Sequence, residues 1–231
     1  MLLEVIVQTV EEAIEAERLG ADRLELVSGI GEGGLTPSYG TIKQVLKSVS
    51  IPVQIMIRPH SYHFHYSSSD LDTMYEDVNN IISLGGTGIV FGALHKDNTI
   101  NEEALKNIIQ LSPDLDITFH RAFDEVSSQE AAYLILNQFK QNVRRILTSG
   151  GKANCEDGKN SLKRLVDLSV RLQGPKILPG SGLTSTNIEW IHKAVGAEQY
   201  HFGKSLRTDQ SFAKGFDKVA FDKIIKFKTS Q

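Results

Sequence analysis

This chain predicts a single (β/α)8 barrel, the TIM fold, and three observations lead there. Short β-branched runs alternate with helical patterns about eight times, roughly one unit every 29 residues over a chain of 231. No Pro/Gly/Ser linker or low-complexity stretch separates the units. The length also suits a barrel of about 200–250 residues, whereas a doubly wound sheet usually stops at five or six strands. Two domains would need a boundary, so residues 1–231 are read as one domain.

The elements follow in order. Leu2–Val7 is a strand, and a helix from about Thr9 to Leu19 closes at Gly20. Asp22–Val27 is the second strand. A helix from Ser38 carries Ile42, Val45, Leu46 and Val49 at i, i+3, i+4, i+7 until Pro52 ends it. Val53–Ile57 follows as a strand. With Asp70 as N-cap, Leu71, Met74, Tyr75, Val78, Ile81 and Ile82 form the cleanest amphipathic stripe, which Gly85 stops. Gly88–Phe91 is strand four, and Asn101–Leu111 is a capped helix. Leu115–Phe119 leads to a helix near Ser128–Gln141, and Arg144–Thr148 to one around Ser161–Leu172. Lys176–Leu178 precedes a helix from Thr184 to Val195. Gln199–Phe202 is strand eight, and a last helix covers about Asp217–Lys228.

Composition excludes several classes. Lys and Arg number 25 against 28 Asp and Glu, a formal charge of −3, which argues against a nucleic-acid binder. With 40% hydrophobic and 23% charged residues the chain is not disordered. No apolar run approaches the roughly 18–20 residues of a membrane span, and mean hydropathy is −0.18. No signal peptide is visible at Met1–Val7, so a cytoplasmic location is expected. One cysteine, Cys155, rules out a disulfide framework and a thiolate cluster within one chain. It reads as a buried, inert thiol. A homodimer is the expected assembly, since barrels often pair through helical faces.

Chemistry in this fold sits at the carboxyl ends of the strands. Parallel strands are buried on both faces and should be apolar, yet Glu4, Glu25, Arg58, His120 and His201 break that rule. Buried charges need partners or a function. Glu4 and Glu25 fit either a brace across the barrel or catalysis. Arg58, His120, Arg121 and Asp124 converge on one rim. Arg58 and Arg121 suit a carboxylate or phosphate, His120 an acid–base role, and Asp124 or Glu25 its orientation. A further anion site is expected where Ser149 and Gly150, Gly180-Ser181-Gly182, and Gly203-Lys204 follow strands six to eight. Gly203-Lys204-Ser205 is no Walker A loop, because Glu198 stands where its first glycine would be.

Several runs together resemble the CutC proteins. They are Gly20-Ala21-Asp22-Arg23-Leu24-Glu25-Leu26, Gly33-Gly34-Leu35-Thr36-Pro37-Ser38, Met56-Ile57-Arg58-Pro59 and Val90-Phe91-Gly92. The most specific is Thr118-Phe119-His120-Arg121-Ala122-Phe123-Asp124, joined by Arg145-Ile146-Leu147-Thr148-Ser149-Gly150-Gly151 and the Gly180–Gly182 loop. The likeness covers about residues 2–205. It implies one TIM barrel, a cytoplasmic location and a part in copper homeostasis, with no settled reaction. CutC proteins commonly carry cysteines near the ends of the first two strands, the natural Cu(I) ligands. Ile6 and Val27 stand at the matching positions here. The family's Arg-Pro-Arg-x-x-Asp-Phe is replaced by Arg58-Pro59-His60-Ser61-Tyr62-His63-Phe64-His65-Tyr66. Imidazoles suit a divalent ion, so His60, His63 and His65 are the candidate ligands for copper(II) or zinc.

Two readings stay open: a copper-homeostasis protein that binds metal, and an enzyme of lyase, isomerase or hydrolase type acting on a small anionic metabolite. A purely structural role would leave the polar rim unexplained.

Overall fold

All eight predicted strands form in the computed structural model, which describes residues 1–230. They are β1 (Leu2–Val7), β2 (Arg23–Leu26), β3 (Val53–Met56), β4 (Gly88–Phe91), β5 (Asp116–Phe119), β6 (Val143–Thr148), β7 (Lys176–Pro179) and β8 (Gln199–Phe202). β1, β4 and β8 keep their predicted limits, and the other five fall within one residue of theirs. Neighbours pair in parallel in the order β7-β6-β5-β4-β3-β2-β1-β8. A parallel bridge between Gly180 and His201 links the two outer strands, so the sheet closes on itself. A Cβ on Gly180 would lie 2.5 Å from Leu147 Cδ1, so a larger residue there would push that side chain aside.

Eight helices surround the strands: α1 (Val10–Leu19), α2 (Tyr39–Ser48), α3 (Ser68–Ser83), α4 (Glu102–Leu111), α5 (Gln129–Asn137), α6 (Cys155–Leu172), α7 (Ile188–Val195) and α8 (Lys218–Thr229). Ser38, Asn101 and Ser128 cap their helices as expected. Four helix limits differ from expectation. The α3 cap is Ser67, and Asp70 sits three residues on, returning a bond to the Ser67 amide in a capping box. α6 begins at Cys155 instead of Ser161, because Asn154 accepts from Asp157 N and starts the helix earlier. α5 stops at Asn137, short of Gln141. α7 starts at Ile188, since Thr184 and Asn187 are bonded to each other in a turn before it.

Period-two alternation sorts each strand into an outer and an inner set. Leu3, Val5, Leu24, Leu26, Ile55, Ile89, Phe91, Ile117 and Tyr200 join the large core beneath the helices. Ile6, Val27, Met56 and Val90 form a separate, smaller cluster. The side chains in register with that inner set are polar: Glu4, Arg23, Glu25, Gln54, Gln199 and His201 are all buried.

Beyond β8 the chain is anchored by Arg207, one of the largest fully buried side chains. Its guanidinium meets Glu12 Oε1 at 2.8 Å, donates to the Ile6 carbonyl at 2.9 Å and stacks 3.9 Å from the Phe216 ring. This pins residues 207–216 against the start of the barrel.

Gly158 offers a test of the helix–strand packing. Alanine in a helix interior ordinarily stabilises by up to about 1 kcal/mol. Here a Cβ would fall 1.8 Å from the Ser149 carbonyl oxygen, a backbone atom of the loop after β6. Gly158→Ala is therefore expected to destabilise by about 1–3 kcal/mol through overpacking. Urea midpoints of the two proteins check it, and an unchanged or raised midpoint would refute the close approach.

Candidate functional site

A cavity of about 650 Å³ opens at the carboxyl end of the barrel, lined by residues of β1, β2, β3, β6 and β8 and of the loops after β2, β3, β5, β6, β7 and β8. Three parts of its wall differ in chemistry.

The first part is the floor. Glu4, the third residue of β1, is fully buried and lies opposite Arg23 on β2 and His201 on β8. The Arg23 guanidinium makes a short contact to one Glu4 oxygen, and His201 Nδ1 lies 2.8 Å from the other. Arg23 also donates to Gln199 Oε1 at 2.7 Å. Burial alone would push the Glu4 carboxyl up, but Arg23 and His201 bring it down to about 2. Since Glu4 stays charged, it takes the proton on Nδ1 of His201 and leaves Nε2 facing Glu25 Oε2 at 3.7 Å. Glu25 is pushed up to about 7, chiefly by burial and further by Glu4, with His201 opposing. His201 is raised too: burial works against its charged form, and Glu25 and Glu4 outweigh that. Both His201 and Glu25 line the cavity, and each is shifted toward its protonated form.

The second part is cationic. Arg58 follows β3 and is 8% exposed. It donates to the carbonyls of Glu32, Gly34 and Ser61 at 3.2–3.3 Å and lies 4.9 Å from the Phe64 ring. Among the described residues no carboxylate pairs with it, and its Nε has no partner. Beside it, His120 Nδ1 accepts from Ala122 N at 3.1 Å, which places the ring proton on Nε2. That Nε2 is buried without a partner. Burial first, then the Arg58 charge, lowers the His120 ring to about 3, so it stays neutral and serves as a hydrogen-bond donor. Neither Asp124 nor Glu25 orients His120; the Ala122 amide does.

The third part joins the loops after β5 and β6. Asp124 accepts from Arg121 Nε at 2.8 Å, from the amides of Ser149 and Gly151 at 3.0–3.2 Å, and from Thr148 Oγ1. Arg121 donates onward to Ser149 Oγ at 2.9 Å. Gly150 N is taken by Thr148 Oγ1 at 2.9 Å. The anion cradle expected at Ser149 and Gly150 thus already holds the chain's own carboxylate. After β7 and β8, Ser181, Gly182, Gly203 and Lys204 do line the cavity, and Gly180 closes the barrel beneath them.

The loop histidines sit to one side of this. The rings of His63 and His65 stack at 5.5 Å, and His60 meets His63 edge-on at 5.0 Å. His60 Nε2 lies 3.6 Å from Asp70, and His65 Nε2 bonds Asn98 at 3.0 Å, so two of the three rings are drawn to different partners. Among the described residues the one group of His, Cys, Asp and Glu with ligand atoms all within 4.8 Å is Glu4, Glu25 and His201. Cys155 is buried, its thiol donates to the Gly180 carbonyl at 3.2 Å, and burial pushes it up to about 12. Its burial agrees with the buried thiol expected.

The family model described as the CutC family matches residues 1–206. The chain belongs to the CutC family. It is 40% identical over 201 residues to the human copper homeostasis protein cutC homolog, covering 87% of this chain and 72% of that one. A family protein CutC from Photorhabdus laumondii is 41% identical over 206 residues, covering 88% and 79%. Among solved structures, a CutC protein from Streptococcus agalactiae superposes with a TM-score of 0.80 at 30% identity, over 88% of this chain and 98% of that one. Phosphoribosyl anthranilate isomerase from Thermococcus kodakaraensis gives a TM-score of 0.65 at 14% identity, covering 100% and 99%, a likeness of fold alone. No helix among the described residues is long and apolar enough to cross a membrane.

Two members of this CutC barrel's floor escaped the sequence reading as site residues, Arg23 and His201. Their signal was present: Arg23 and Glu25 are two apart on one strand, hence on one face, and His201 is a charged residue in a buried strand. Their pairing with Glu4 needs the register of β1 with both β2 and β8.

The His120 environment sets a pH test. Its unfolded value is 6.5 and its folded value about 3, so below pH 6.5 the unfolded chain gains a proton that the native ring refuses. This contribution to stability is present above pH 6.5 and is lost as pH falls toward 3. The stability difference between wild type and His120→Gln should therefore change by about 1.4 kcal/mol per pH unit between roughly pH 6 and 4. Urea titrations at four pH values read this directly. A flat difference would mean that the ring titrates normally.

Proposed function

We propose that this chain serves copper homeostasis, the role carried in its relatives' names, through a small anionic molecule bound at the barrel mouth. The observation that supports this is Arg58, a buried guanidinium on the cavity wall with no carboxylate partner. A buried charge without a counter-charge is costly, and an anion entering the cavity would relieve that cost. Arg58 and the Nε2–H of His120 would hold the anion, with Lys204, Ser181 and Gly182 at the opposite rim taking a second anionic group.

At the floor, His201 would take or deliver a proton, held in one tautomer by Glu4, with Glu25 as the group that exchanges it. Arg121 and Asp124 would then brace the β5 and β6 loops without touching ligand. This favours proton abstraction, lyase or isomerase chemistry, and a cytoplasmic homodimer remains part of the proposal.

Copper itself enters as cargo, and the residues present do not suit Cu(I). Soft thiolates select that ion, and the single thiol is buried and bonded to a carbonyl. Ile6 and Val27 of the small apolar cluster offer no donor atoms. A second reading has one observation in its favour: Glu25 and His201 Nε2 could ligate a divalent ion, with Glu4 orienting the imidazole. Both Glu4 oxygens are already engaged, so such a site would be weak.

Two measurements test the proposal. Calorimetric titration with inorganic phosphate and with acetate should show millimolar-or-tighter binding of at least one. Arg58→Met should weaken it about 10–100-fold, and Arg58→Lys by less. Equal affinity in wild type and Arg58→Met would remove the anion site. For copper, competition with a chromophoric Cu(I) chelator in reducing buffer should show weak or absent affinity, unchanged in Cys155→Ser. Tight Cu(I) binding would overturn the exclusion of direct copper ligation.

A further inference from the structure

The family match ends at Leu206, yet the cavity does not. Gln210 and Phe212 line it, on the segment that Arg207 pins in place. Asp209 and Gln210 both adopt left-handed backbone, with φ of 51° each. Non-glycine residues rarely do so, and the surrounding structure must hold them there. Phe212 is only partly buried and packs on the apolar cluster of Ile6, Val27, Met56 and Val90. Gly203 leaves it room, since a Cβ there would come within 3.2 Å of the Phe212 ring and 3.0 Å of Ile6. The cavity wall therefore includes an apolar surface of Ile6, Met56 and Phe212 as well as Arg58, which has no counter-charge among the described residues.

We infer that residues 207–212 form a selectivity wall, and that the ligand is an anion carrying a flat apolar body that lies against Phe212. The inference rests on the anion site proposed above and adds the substrate class to it. A small hydrophilic anion would satisfy Arg58 and leave the apolar side wet. An anion with an aromatic or similarly flat body would fill both, and burying that body supplies affinity in proportion to its area. Phe212 offers a ring for offset stacking or edge contact. Its position is set by Arg207, whose guanidinium lies 5.5 Å from the Phe212 ring and 3.9 Å from that of Phe216.

The test uses two probes of equal charge, phenyl phosphate and methyl phosphate, titrated calorimetrically into the full chain. Wild type should bind phenyl phosphate about tenfold more tightly. Phe212→Ala should lower that preference to about twofold while leaving the methyl phosphate affinity unchanged. Phe212→Leu, which keeps the apolar contact and the fold, should retain part of the preference. Equal binding of both probes by wild type would overturn the selectivity wall and leave the anion site standing. A preference that survives in Phe212→Ala would overturn the part given to Phe212. Failure of wild type to bind either probe would overturn the anion site, and the wall with it.

Discussion

The carboxylate of Glu4 organises the barrel. It sits fully buried on β1 between an arginine from β2 and a histidine from β8, strands that are remote in sequence and meet only when the sheet closes. Breaking such a buried pair by removing one partner costs about 3–5 kcal/mol, whereas replacing the whole group by apolar side chains can be neutral. The polar floor is therefore not needed for stability as such. What it does supply is one tautomer and one direction for His201, because a permanent negative charge at Nδ1 leaves only Nε2 free. Everything proposed for proton transfer at the cavity floor depends on that contact.

Charge is then distributed unevenly around the mouth. Asp124 fills the amide cradle of the β6 loop, and Arg121 closes over it, so that corner is neutral and occupied from within. At the floor Arg23 and His201 flank the Glu4 carboxylate, and burial pushes Glu25 up to about 7. Arg58, by contrast, has backbone carbonyls and, among the described residues, no carboxylate for partners. Carbonyl dipoles soften the cost of burying a guanidinium without neutralising it, and His120, kept neutral by the same surroundings, adds a donor and no charge. The proposed anion site rests on this imbalance.

The barrel was legible because parallel strands covered on both faces read as short apolar runs, and helices as 3.6-residue stripes between them. Helix starts were less so. Residues 152–160 are polar and lack an apolar stripe, so the first turns of α6 are invisible to periodicity; the Asn154 cap is what begins them. Ser67 and Asp70 both suit a cap, and only the reciprocal bonds decide between them. The rim residues Arg58, His120 and Asp124 were visible as charges at strand ends. Their division of labour was not, because it turns on loop contacts: Ala122 N for His120 and Ser149 N for Asp124. The loop histidines show the same limit. Spacing puts His63 beside His65, as found, but Asp70 at the start of α3 and Asn98, distant in sequence, decide where the outer nitrogens of His60 and His65 point.

Ile6 and Val27 connect the family resemblance to the chemistry of the floor. They build an apolar cluster with Met56 and Val90. Ile6 is paired with Glu25 across β1 and β2, so the cluster lies directly against the carboxyl whose proton affinity is raised. Apolar surroundings disfavour the charged form of a carboxyl, and that burial is the main cause of the rise to about 7. The apolar side chains at 6 and 27 thus contribute to the burial that holds Glu25 toward its neutral form.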